Sequence, residues 1–86
     1  MDIRFEGLRL IPSRTAVREL QKHRLTLNYC KFILENGYEY RKRKENTTER
    51  CLDRGDKTYT VVAVKSFSYF HNEDVYLITH VGKTRR

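Results

Sequence analysis

The sequence predicts an α+β domain: a short N-terminal strand, an α-helical hairpin, then a four-stranded antiparallel meander, in the order β-α-α-β-β-β-β. Three observations predict it. Apolar residues recur at helical spacing between Ala16 and Leu34, and from Tyr38 onward the period changes to two. Turn signals at Asn46-Thr47, Arg54-Gly55-Asp56 and His71-Asn72-Glu73-Asp74 then cut the second half into strands. The 86 residues suit one domain, residues 1–86, with the helices packed on one face of the sheet.

Each element has a local reason. Ile3 and Phe5 share one parity and Leu8 and Leu10 the other, so the first strand changes its inward face at Gly7, as a bulge does. Pro12 ends that strand because it cannot donate to a ladder. Ser13 is the N-cap of a helix over Arg14 to His23, with Ala16, Val17 and Leu20 inward and Arg14, Arg18 and Lys22 outward. Thr26 caps a second helix whose stripe is Leu27, Cys30, Ile33 and Leu34, and Leu25 staples against Cys30. Asn36-Gly37 reads as a left-handed stop, and the short link predicts a helical hairpin.

Alternation from Tyr38 puts Tyr38, Tyr40, Lys42 and Lys44 on one face, and Glu39, Arg41, Arg43 and Glu45 on the other. Glu49 to Asp53 returns as a strand. Thr58 to Ser68 follows, apolar on both faces through Val61-Val62-Ala63-Val64, as a central strand requires. The last strand starts at Asp74 and runs through Val75-Tyr76-Leu77-Ile78-Thr79-His80-Val81 into Gly82-Lys83-Thr84-Arg85-Arg86.

Composition narrows the function classes. No run of about 18 apolar residues offers a membrane span, and the first six residues alternate charge with apolar side chains, unlike a signal peptide. The expected address is therefore cytoplasmic. Cys30 and Cys51 fit a reducing compartment as small hydrophobes. With His23, His71 and His80 they lack the close spacing of a zinc site, and Glu49 with Asp53 is a weak magnesium pair, so no metal or cofactor is expected. A formal net charge of +7 favours an acidic partner, RNA or an acidic protein, over a membrane.

Short motifs carry a resemblance. Lys22-His23-Arg24-Leu25-Thr26 resembles the lysine-histidine-glycine-hydrophobic link between the helices of BrnT-type toxins, with Arg24 in the glycine's place. Glu49-Arg50 resembles that family's glutamate-arginine pair. Leu77-Ile78-Thr79-His80-Val81-Gly82-Lys83 resembles its last strand, with His80 near where the family has an alanine-arginine ending. The order of elements resembles the wider RelE/ParE-like superfamily. That resemblance implies a toxin of a toxin–antitoxin pair: a metal-independent endoribonuclease, or a ribosome-associated one, held by an acidic antitoxin.

The residues support two function classes. An imidazole at His80 exchanges a proton at neutral pH, and metal-free RNA cleavage needs a base, a cation at the phosphorane and an acid for the leaving oxygen. The catalytic candidates are His80, His23 and Arg50. Tyr38 and Tyr40 interleaved with Lys42 and Lys44 suit single-stranded RNA, whose bases stack while its phosphates pair, and Lys83, Arg85 and Arg86 add phosphate attraction. The alternative is a non-catalytic RNA- or protein-binding module with the same basic face.

Overall fold

The computed structural model describes residues 2–85. In chain order they form β1 (Arg4–Phe5), β2 (Leu8–Pro12), α1 (Arg14–His23), α2 (Leu27–Asn36), β3 (Tyr38–Glu39), β4 (Thr47–Arg54), β5 (Lys57–Ser68) and β6 (Glu73–Arg85). All strands join one six-stranded sheet in the order β1-β2-β6-β5-β4-β3. The α+β class stands, and β5 and β6 are interior strands, as their apolar runs require.

The sheet is mixed, which corrects the antiparallel expectation. β2 runs parallel to β6, with Arg9 opposite Val75 and Pro12 opposite Ile78. A parallel pair needs a long crossover, and both helices with three strands supply it. The N-terminal piece is also a hairpin rather than one bulged strand. Glu6 (φ 51°) and Gly7 (φ 82°) make a two-residue turn that sets Phe5 opposite Leu8. Both arrangements change parity at Gly7, so the apolar pattern does not separate them.

Both helix caps follow from local chemistry. The Ala16 N–H donates to Ser13 Oγ, and the Tyr29 N–H donates to Thr26 Oγ1, each at 3.1 Å. Ser13→Ala should therefore cost about 1 kcal/mol, read as a lower urea midpoint with an unchanged m-value. α1 stops on Arg24, which takes a left-handed conformation at φ 57°. α2 stops differently from expectation: Gly37 is extended (φ −76°, ψ 172°), not left-handed. Its lack of a side chain answers a need for space. A Cβ there would lie 2.5 Å from the Cys51 carbonyl oxygen and 2.6 Å from that of Ile33.

Each helix packs chiefly on the sheet rather than on the other helix, α1 against β6 and α2 against β4 and β5. Ala16, Leu20, Cys30, Ile33 and Leu34 thereby meet Val61, Ala63, Tyr76, Ile78 and Val81 in one core layer. Burial pushes the Cys30 thiol up to about 11, so it behaves there as a small hydrophobe. Among the described residues no helix is long and apolar enough to cross a membrane.

Candidate functional site

The sheet face turned away from the helices carries a groove of about 360 Å³. Its position depends on one irregularity in β6. Ala63 pairs with Ile78 but Val62 pairs with His80, so Thr79 is an extra residue. Ile78 and Val81 both reach the core, three positions apart, because this bulge resets the alternation. His80 therefore faces the groove opposite Val62. Strict parity had placed it beside Tyr76 and Ile78, both of which are buried in the core.

α1 fixes the imidazole. Glu19 Oε2 lies 3.0 Å from His80 Nδ1, and Glu19 Oε1 accepts the Val81 N–H at 2.9 Å. Past Pro12, β2 no longer covers this edge of β6, so the carboxylate takes over a backbone donor that would otherwise lack a strand partner. A neutral imidazole donating from Nδ1 keeps its lone pair on Nε2. Gly82 leaves room there: a Cβ would stand 3.0 Å from Nε2. The His80 side chain remains about half exposed.

Opposite His80 stands a buried acid. Glu49, 6 % exposed, accepts from Arg41 Nε at 3.0 Å and Arg43 Nε at 2.8 Å on the same oxygen. The Arg43 hydrogen bond, aided by that of Arg41, holds the carboxyl below its usual range against the opposing effect of burial. Each guanidinium spends its Nε on Glu49 and keeps its terminal nitrogens for an outer acceptor.

This arrangement corrects the strand expected from Tyr38 to Glu45. β3 ends at Glu39, and residues 40–46 run as an irregular segment over the groove. With no apolar side chain between Arg41 and Thr47 to hold a ladder, the segment is anchored by its arginines instead. Arg41, Lys42, Arg43 and Lys44 thus line one continuous basic surface with Thr47, in a second recess of about 520 Å³. Tyr40, 63 % exposed, stands at the boundary and lines the His80 groove.

The other candidates disperse. Arg50 is on the core face, where its Nη1 donates to the Leu34 carbonyl at 2.9 Å, so it does not join His80. His23 ends α1 one turn beyond Glu19, outside the residues that line the groove. Tyr38 donates to Asp53 at 3.2 Å. Lys83 lies on the helix-facing side, over the Tyr59 ring. Arg85 pairs with Asp56 at 3.5 Å, and Arg86 lies outside the described residues. Glu49 and Asp53 do not form a metal cluster with any third ligand among the described residues.

Sequence reasoning missed Glu19. The available signal was its isolation as the one acid in α1, among Arg14, Arg18 and Lys22. It also assigned Arg41 and Arg43 to the wrong side of a strand that does not continue. No protein family, curated protein or solved structure matches the chain, so the chemistry of the groove is read from its own residues.

Proposed function

We propose that the chain is a binding module for single-stranded RNA, which lies across the groove between His80 and the Arg41–Lys44 segment. The observation that carries this reading is the continuity of four cations with the exposed Tyr40 ring, in two recesses where Glu49 is the one lining carboxylate among the described residues. Four basic side chains exceed the three carboxylates beside them, Glu49, Glu19 and Glu45, and the cations are the groups that line the outer recess. Phosphates pair with the guanidinium groups and ammonium groups, while a base stacks on Tyr40. Thr58, Thr60 and Thr84 also line the groove; Thr58 donates its proton to Asp53 at 2.6 Å and so offers sugar or base edges its lone pairs.

A second reading, endoribonuclease, is favoured by the His80–Glu19 pair. His80 Nε2 takes the proton of a 2′-hydroxyl, whose oxygen attacks the adjacent phosphorus. Arg41 and Arg43 neutralise the phosphorane, the bond from phosphorus to the 5′ oxygen breaks, and that oxygen takes a proton from solvent. The products are a 2′,3′-cyclic phosphate and a 5′-hydroxyl. Binding ranks first because His23 does not join His80 to serve as the acid and Arg50 does not join it to clamp the phosphate. If cleavage occurs, the resemblance to RelE- and BrnT-type toxins extends to a cytoplasmic toxin held by an acidic antitoxin.

Fluorescence anisotropy with labelled single-stranded RNA separates the readings. Wild type should bind at about 50 mM salt, with log affinity falling by about 0.7 per phosphate neutralised per decade of salt. A Lys42→Ala/Lys44→Ala variant should bind more weakly and show a shallower slope. His80→Ala should retain binding. Cyclic-phosphate ends formed by wild type and not by His80→Ala, with growth arrest on expression relieved by the same substitution, would establish the enzyme. No binding at low salt removes both RNA readings.

A further inference from the structure

A second surface combines aromatic rings with cations on the helix-facing side of the sheet, outside the groove described above. Tyr29 and Phe32, three positions apart on α2, lie nearly parallel with ring centroids 5.9 Å apart and an interplanar angle of 11°. Tyr59 of β5 meets Tyr29 edge-on at 5.5 Å. Tyr29 and Tyr59 are partly buried against the core, whereas Phe32 is 45 % exposed and presents ring surface to a ligand. Packing on the core explains the two tyrosines. It leaves the exposed Phe32 unexplained.

Cations surround these rings. Arg54 donates to the Tyr29 hydroxyl at 3.4 Å and lies 6.0 Å from the centre of that ring, and Lys83 lies 5.9 Å from the centre of Tyr59. Two adjoining recesses of about 320 Å³ each share Thr26, Tyr29 and Arg54, and one extends to Arg24. No carboxylate lines either recess among the described residues, so the charge complements an anion carrying planar rings. The two surfaces meet at the same end of the sheet. Thr58 and Thr84 line the first groove, while their neighbours Tyr59 and Lys83 point to the other side.

We infer that Phe32 and Tyr29, with Arg54, Arg24 and Lys83, form a second site that stacks a base of single-stranded RNA and pairs its flanking phosphates. This rests on the RNA reading and extends it: a strand leaving the first groove passes over the end of the sheet and is held again on α2. Base–aromatic stacking tolerates any base, so the site adds affinity with length rather than sequence preference.

The test uses a mixed-sequence single-stranded RNA of about 16 nucleotides and the full chain. Phe32→Ala should weaken binding roughly 5- to 100-fold. Phe32→Leu, which keeps apolar bulk without a π face, should lose as much, and Phe32→Tyr should bind like wild type. Arg54→Gln should make the salt slope shallower by about 0.7. Unchanged affinity in Phe32→Ala, with Lys42→Ala/Lys44→Ala weakened, overturns the second site and leaves the first. Wild-type affinity in Phe32→Leu overturns stacking. Wild type that binds no RNA at low salt overturns both sites.

Discussion

Gly37→Ala lowers the unfolding free energy by about 3 kcal/mol, at the upper end of overpacking costs. The backbone torsions of Gly37 suit any residue, so strain in φ and ψ contributes nothing. The penalty is steric. A methyl group would meet the carbonyl oxygens of Cys51 and Ile33 at 2.5 and 2.6 Å, and both belong to backbone. Neither oxygen moves without cost, since Ile33 O accepts the Gly37 N–H at 2.7 Å and Cys51 lies in the β3–β4 pairing. For a chain of this size the change should lower Tm by roughly 15 °C in a thermal melt. A variant melting within a few degrees of wild type would show that α2 can slide off β4 freely.

Replacing both arginines, Arg41→Ala/Arg43→Ala, strands Glu49 in the groove. The carboxylate then has low exposure and neither of its two guanidinium donors, and removal of a buried charge's partners costs more than the pair contributes. Arg41 and Arg43 are themselves partly exposed, so water reaches the vacated space and limits the loss to about 2–3 kcal/mol at pH 7. The pH dependence has a definite sign. In wild type the folded-state value of Glu49 is depressed below its ordinary 4.5, so its contribution is present above that value and lost as pH falls through the folded one. In the variant, burial without donors raises the value instead. The stability gap should be widest near neutrality and narrow as the pH is lowered through the carboxylate range. Urea titrations of both proteins at several pH values measure it, and a gap independent of pH would mean the arginines act through packing alone.

Much of the architecture was legible because its causes are local. Ser13 and Thr26 cap helices through bonds within three residues. Val61 to Val64 mark an interior strand by apolar character on both faces. The parts that were not legible depend on distant partners. Leu8 to Pro12 reads the same whether its neighbour runs parallel or antiparallel. Thr79 has no bulge signature of its own, and its extra position exists only relative to β5. The site inherited that blindness. His80 was visible as a residue, but its face depended on Thr79 and its partner on an acid of α1, 62 positions before the Val81 amide that shares it. Arg41 and Arg43 looked like alternating strand residues until their common acceptor, Glu49, supplied a different reason for their spacing.

The parallel pairing of β2 with β6 has a kinetic consequence. Arg9 and Glu73, joined at 2.8 Å, are 64 positions apart, whereas β4, β5 and β6 follow one another through tight turns. Closing the longer loop costs more chain entropy, although the cost grows only with the logarithm of length. During synthesis the N-terminal hairpin emerges early and must wait unpaired on one side until residues 73–78 have left the ribosome. The C-terminal meander can assemble from neighbours in sequence, whereas docking of the N-terminal hairpin on β6 must close a much longer loop.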